Sequence, residues 1–242
     1  MDNTRRTQIF IGAMAVAAAS SAGYAGFQSH SLHLPYGLAI LALAAATSRM
    51  KVKLPGIDGN MSFNLPFLLT AAVSLSTLET VAITLISTGV QCWPRHDAKF
   101  KPQQFVFNLS MMSFASSIAS LVFQSAWLHL TGWTSTAAGL VLATVALFLG
   151  QTAPVATVIG LSEGRGIAQT WWNVAHLSFP YFVVSAGVTS MMQSVSHHMG
   201  WEVAVAAFPV MYGIHRSYRL YFAAVVQSSH RPQLARAARA GY

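Results

Sequence analysis

SFNLPFLLTAAVSLSTLETVAITLISTGVQCW, residues 62–93, is the stretch whose reading decides the fold. The run is apolar and too long for one helix, since about 20 residues suffice to cross a ~30 Å hydrocarbon core. One carboxylate, Glu79, stands near its middle. Holding a carboxylate at the bilayer centre costs on the order of 3 kcal/mol. Ser74, Ser76 and Thr77, just before it, have the hydroxyls that cap helix N-termini. The run therefore reads as a hairpin of two helices, about 62–77 and 79–93, with Glu79 at the tip. One tilted helix with Glu79 buried is the less favoured alternative.

The rest of the chain repeats the pattern. Apolar segments run at about 8–27, 34–48, 103–127, 134–161, 167–193 and 201–226. The second is short for a full crossing, and a turn-rich link, Leu54-Pro-Gly-Ile-Asp58-Gly, follows it. Arg5 and Arg6 before the first segment resemble the start of a signal peptide. Its apolar run, Ile9 to Phe27, exceeds the usual ~7–15 residues, so it reads as a retained helix.

Composition agrees. Hydrophobic residues make up 54% of the 242 and charged residues only 8%, against about 25% charged in soluble domains. Mean hydropathy is +0.49. The net charge of +8 sits in short clusters between apolar runs, which fits cytoplasmic loops and not a nucleic-acid stripe. The lone Cys92 excludes an internal disulfide and a thiolate metal cluster.

Charge also sets orientation. With the N-terminus inside and one crossing per segment, all 14 Lys and Arg residues fall at cytoplasmic ends. Without the hairpin at Glu79, Arg95, Lys99 and Lys101 would lie opposite Arg49. The outer loops then hold His30, His33, His129, His197, His198, Glu79 and Glu202. Trp127, Trp133 and Trp201 fall near the outer boundary, and Trp93 and Tyr221 near the inner one. The expectation is an all-α polytopic transmembrane bundle of about eight helices (six to eight), with both termini cytoplasmic. Residues 1–226 form a single transmembrane domain and 227–242 a short basic cytoplasmic tail. The setting is a bacterial inner membrane.

Candidate functional residues are few. Asn173 and His176 are three apart and share a helix face. With Asn108 and Glu79 they are the candidate ligand-binding residues, because polar groups inside a membrane mark function or interhelical hydrogen bonding. Asn64, Gln124 and Gln151 are further polar residues in apolar segments. Ala15, Ala19 and Ala22 give the first helix a small-residue face for close packing, within the chain or on a partner protein. Paired His residues usually stay solvated. No metalloprotease, hydrolase, phosphate-loop or Cys-x-x-Cys motif is present. The expectation is a non-enzymatic protein with no cofactor, no metal and no nucleic-acid partner. Its partners are the lipid bilayer, an unknown small-molecule ligand, and a membrane protein or a second copy of itself.

Over about residues 45–225, Val52-Lys-Leu-Pro-Gly, Met61-Ser-Phe-Asn-Leu-Pro-Phe, Phe107-Asn108-Leu-Ser and His215-Arg-Ser-Tyr-Arg-Leu-Tyr-Phe222 stand out. This set resembles the multispanning membrane regions that precede HD-GYP and GGDEF domains in bacterial signalling proteins. More distantly, the hydropathic layout is similar to the substrate-binding S components of energy-coupling-factor vitamin transporters. The first resemblance implies a sensory or regulatory membrane module whose exit helix leads to a domain that makes or breaks cyclic di-GMP. This sequence stops at Tyr242 and lacks that output domain, so no cyclase or phosphodiesterase residue carries over. The second resemblance implies capture of a small molecule and docking on a transporter partner.

Overall fold

The computed structural model describes residues 3–27, 33–53, 60–94, 100–125, 133–199 and 202–240. Eight helices account for nearly all of them: α1 Asn3–Phe27, α2 Leu34–Ser48, α3 Leu65–Ser74, α4 Thr77–Cys92, α5 Pro102–Phe123, α6 Trp133–Glu163, α7 Ile167–Met199 and α8 Glu202–Ala240. Four of them, α1, α5, α6 and α7, are long and apolar enough to cross a membrane. Large apolar side chains face outward along the long helices, among them Val16, Val141, Phe179 and Met191. A water-exposed surface does not normally carry such stripes, and these features together point to a membrane protein.

The break in residues 62–93 is present, slightly earlier than Glu79. Helix α3 ends at Ser74, Leu75 and Ser76 are extended, and α4 begins at Thr77. Glu79 is the third residue of α4 and closes a capping box with Ser76. The hairpin is then locked from its flanks. The Thr80 hydroxyl donates to the Ala71 carbonyl at 2.9 Å, and the Gln124 amide donates to the Leu75 carbonyl at 3.0 Å. The first adds a second donor to a carbonyl that already accepts the Leu75 N–H, and the second gives the Leu75 carbonyl a partner past the helix end.

The expected first arm, 62–77, is corrected. Helix α3 has 10 residues, about 15 Å at 1.5 Å per residue, half of a hydrocarbon core. Residues 60–62 are instead a strand, β2, paired antiparallel with β1, 51–53, in the register Lys51↔Ser62, Val52↔Met61, Lys53↔Asn60. Three-residue strands are too short to show a period of two. Their alternation nonetheless has a consequence: Val52 and Met61, a cross-strand pair, are both buried. Asn64 and the proline at Pro66 then start the helix.

Helix α3 is the centre of the bundle. Every residue from Leu65 to Val73 is buried, against α2, α4, α5, α6 and α7. Its first N–H, on Leu65, donates to the Tyr181 hydroxyl at 3.3 Å, and Thr189 donates to the Pro66 carbonyl at 3.1 Å. Helix α7 thus gives the Leu65 N–H a partner that the first turn of α3 lacks, and adds a further donor to the Pro66 carbonyl. Tyr181→Phe removes the acceptor of a buried N–H. The expected result is a loss of about 1 kcal/mol of stability, read as a lower melting temperature in detergent.

The α4–α5 seam uses small hydroxyl residues. Thr77, Thr80, Thr84, Ser87 and Thr88 are buried on α4, and Ser110, Ser113, Ser116, Ser117 and Ser120 on α5. Thr77 and Ser120 bond across the seam at 3.1 Å. Small residues let helices approach where no water-driven force separates helix from lipid. Pro154 in α6 and Pro180 in α7 are interior prolines, tolerated in membrane helices. Helix α8 runs without a break through the expected tail to Ala240.

On α1 the buried positions are Met14, Ala18 and Ala25. The anticipated face is rotated: Ala15 and Ala22 are half-buried and Ala19 is exposed. The helix turns its Met14–Ala18 side toward α5 and α6.

Candidate functional site: a polar cavity at the basic end

Basic residues from separate segments, Arg49, Lys51 and Lys101, come together near the C-terminal end of α4. Arg49 follows α2 and donates to the carbonyls of Val90 at 3.1 Å and Trp93 at 3.3 Å, at the end of α4. The Lys51 ammonium donates to the Gln91 carbonyl at 2.6 Å. Both cations thus sit on the negative end of the α4 dipole. These bonds also fix the ends of α2 and α4 on one side, as a hairpin requires. Arg165 pairs with Glu163 in the α6–α7 turn, where Gly164 adopts φ +68° and its Cβ position lies 3.6 Å from the Asn3 side chain.

Behind these cations is a cavity of about 800 Å³. That is in the range of small-molecule sites, about 300–1,000 Å³. Its apolar lining is Phe107, Met111 and Met112 of α5, Val155 and Val158 of α6, and Phe182 of α7. Its polar lining is Asn64, Thr88, Gln91, Asn108, Gln151 and Thr152. Arg49, Lys51 and Lys101 complete the lining. No carboxylate lines it among the described residues.

The polar lining is under-satisfied. Asn64 Nδ2, Thr88 Oγ1, Gln91 Oε1 and Gln151 Nε2 are buried and have no hydrogen-bond partner in the protein. A buried polar group without a partner costs about 1–3 kcal/mol. The four residues that hold these atoms all line the cavity. The neighbouring polar atoms are fixed: Ser62 bonds the Asn64 Oδ1 at 3.1 Å, Asn108 donates to the Cys92 sulfur at 3.4 Å, and the Trp171 indole donates to Thr152 at 3.1 Å.

Of the four anticipated ligand residues, the cavity includes only Asn108. Asn173 and His176 are exposed on the outward face of α7, flanked by Trp172 and Phe179. The i, i+3 spacing correctly placed them on one face, but that face turns away from the bundle. The inward face carries Val174, Ser178, Tyr181 and Phe182. Asn64 and Gln151, visible in sequence as polar residues in apolar runs, turn out to share the cavity. In the sequence Arg49 and Lys51 stand out only as topological markers.

Glu79 lies at the opposite end, at the hairpin tip and outside the four long apolar helices. Its carboxylate accepts from the Ser76 hydroxyl at 2.7 Å, the Ser76 N–H at 3.0 Å and the His33 N–H at 2.9 Å. Partial burial works against its ionised form, but these hydrogen bonds outweigh it and hold the carboxyl below its ordinary value. A depressed pKa contributes stability above the ordinary carboxylate range, lost as pH falls through the folded value. The melting temperature should therefore be level from neutral pH to about pH 5 and fall below it. Glu79→Gln should flatten that acid limb.

Among the described residues no group of three or more His, Cys, Asp or Glu is placed to hold a metal. The loop sites with His30, His129, Trp127, Trp201, Arg95 and Lys99 lie outside the described residues, as do the side chains of Trp133, His197 and His198. No family model, curated protein or solved structure matches the chain.

Proposed function

We propose that this protein is a non-enzymatic, multi-pass sensory or regulatory module of a bacterial inner membrane. It binds a small molecule in the cavity at its basic end. The observation that carries this reading is the cavity itself, lined by four residues that each hold a buried polar atom without a protein partner. The positive-inside bias puts that end, and both termini, on the cytoplasmic side. Seven helices cross, and α3 is a half-depth helix completed by the β1–β2 hairpin, the arrangement seen where discontinuous membrane helices build binding sites. The resemblance to membrane regions of cyclic di-GMP signalling proteins supports the regulatory role.

An S-component-like uptake subunit is the weaker reading. Capture from outside needs a site open to the outer face, whereas the cations and cavity share the other end. A panel of small metabolites screened by thermal shift in detergent tests the proposal. A ligand at 100 times its Kd stabilises by about 2.7 kcal/mol, several degrees of melting temperature. The proposal expects such a ligand, with loss of the shift in a cavity variant. Co-purification with an ATPase pair would overturn the sensory role.

A further inference from the structure

We propose that the outward face of α7 is the contact by which two copies of this chain pair in the membrane, α7 against α7, about a twofold axis along the membrane normal. This face is independent of the cavity, which lies against the other side of α7, where Val174, Ser178 and Phe182 line it.

Asn173, His176, Pro180, Val183, Gly187 and Ser190 are all exposed and follow one another at alternating steps of three and four. That spacing draws one nearly straight stripe along a helix, the seam of two-helix packing. Spacing alone would suit a face turned to lipid, but the residues do not. Helix α6 shows what this bundle turns to lipid, since Val141, Leu142, Val145 and Leu149 are among its exposed side chains. On α7 the outward stripe holds an amide, an imidazole, a hydroxyl and a glycine.

Depth makes the difference costly. From Ile167 to Val195 α7 is apolar enough to cross. That length is about 42 Å, so a ~30 Å core begins about 6 Å from either end. Asn173 lies about 9 Å along it and His176 about 14 Å. Neither side chain forms a hydrogen bond within the described residues. Polar side chains at such depth normally face a protein neighbour. The backbone adds to them. Pro180 has no N–H, so the His176 carbonyl loses the donor that a regular helix would give it, on this same face. In hydrocarbon such a carbonyl is satisfied by a neighbouring group, and no described helix of this chain covers the exposed His176 and Pro180.

Two features identify a second copy as the occupant. The first is register. Copies inserted under one charge bias share an orientation, so a twofold axis along the normal brings equal depths together. Asn173 then meets Asn173, and Gly187 meets Gly187. The second is self-complementarity. An Asn side chain both donates and accepts, so two of them satisfy each other, as a buried Asn pair does in two-stranded coiled coils. Gly187 lets the two backbones approach, and a Cβ there would meet nothing within 4 Å in its own chain.

Two measurements on the full chain test this. Single cysteines are placed in a Cys92→Ser background, and membranes are oxidised with copper phenanthroline. Ser190→Cys lies on the stripe. Val141→Cys, exposed on α6, is the control. The expected result is a disulfide-linked dimer for Ser190→Cys and none for Val141→Cys. In liposomes, energy transfer between fluorescent proteins fused after Tyr242 gives the dimer fraction as lipid dilutes the protein. Gly187→Leu adds bulk where the single chain has room, and Asn173→Leu with His176→Leu removes the polar pair from an exposed face. Both variants should fold as the parent does, yet weaken association at least about tenfold. Monomers at every dilution overturn the proposal, and so does equal crosslinking at both cysteines, which reports random collision. Dilution curves unchanged in both variants overturn the assignment to this face. A disulfide from Ser190→Cys to a different protein, with no dimer of the chain itself, overturns the second copy as occupant.

Discussion

Gly150→Val should leave little folded protein. At Gly150, α6 lies close against α5: a Cβ there would sit 2.8 Å from the Cβ of Ala115 and 3.0 Å from its Cα. The second contact is with backbone, so no rotamer relieves it. Overpacking of a tight core costs about 1–3 kcal/mol for one or two added carbons, and a branched side chain against a backbone atom belongs at or above the top of that range. Against a total stability of about 5–15 kcal/mol, the expected result is aggregated material, or a monodisperse fraction with a melting temperature lower by ten degrees or so. Gly150→Ala is milder, because alanine gains up to about 1 kcal/mol of helix propensity over glycine. Ala115→Gly in the same chain should recover part of the Gly150→Ala loss by removing the nearer contact. A double-mutant cycle showing no coupling between the two positions would contradict the close approach.

The second large effect is expected at the hairpin tip. Ser76→Ala with Glu79→Leu deletes both halves of the capping box and the bond from Glu79 to the His33 N–H. An N-cap serine is worth about 1 kcal/mol. The carboxylate's hydrogen bonds to two backbone N–H groups add a similar amount, discounted because the site is wet. The sum is about 2 kcal/mol. Leu75 stays tied to Gln124 and Thr80 stays tied to Ala71, so the chain should still turn there. The variant should therefore melt several degrees lower yet keep its topology. An unchanged melting temperature would show that the box contributes nothing.

The hairpin was legible because two signals coincided: a buried-charge penalty at Glu79 and capping hydroxyls just before it. The basic clusters carried one local placement, since the Arg49 and Lys51 bonds put the ends of α2 and α4 together. What escaped the sequence was rotation and depth. Periodicity pairs Asn173 with His176, but it cannot say which side of α7 meets the bundle. It put the small-residue face of α1 on Ala15, Ala19 and Ala22, whereas the buried positions are Met14, Ala18 and Ala25. The half-length of α3 was hidden because residues 60–64, Asn-Met-Ser-Phe-Asn, are too few to show a strand's alternation. Only pairing with 51–53, across a connection, makes them a strand. The cavity depends on side chains from α3, α4, α5 and α6 converging, which no single segment encodes.

The central claim is a membrane bundle whose polar cavity faces the cytoplasm. Side-specific labelling with a membrane-impermeant maleimide tests it most directly. Native Cys92 reports the basic end, and Leu78→Cys in a Cys92→Ser background reports the hairpin tip. The account predicts that Cys92 reacts in inverted membrane vesicles and is silent in intact spheroplasts, with position 78 showing the reverse. Labelling of Cys92 from the outside, or of both positions from one face, would contradict it.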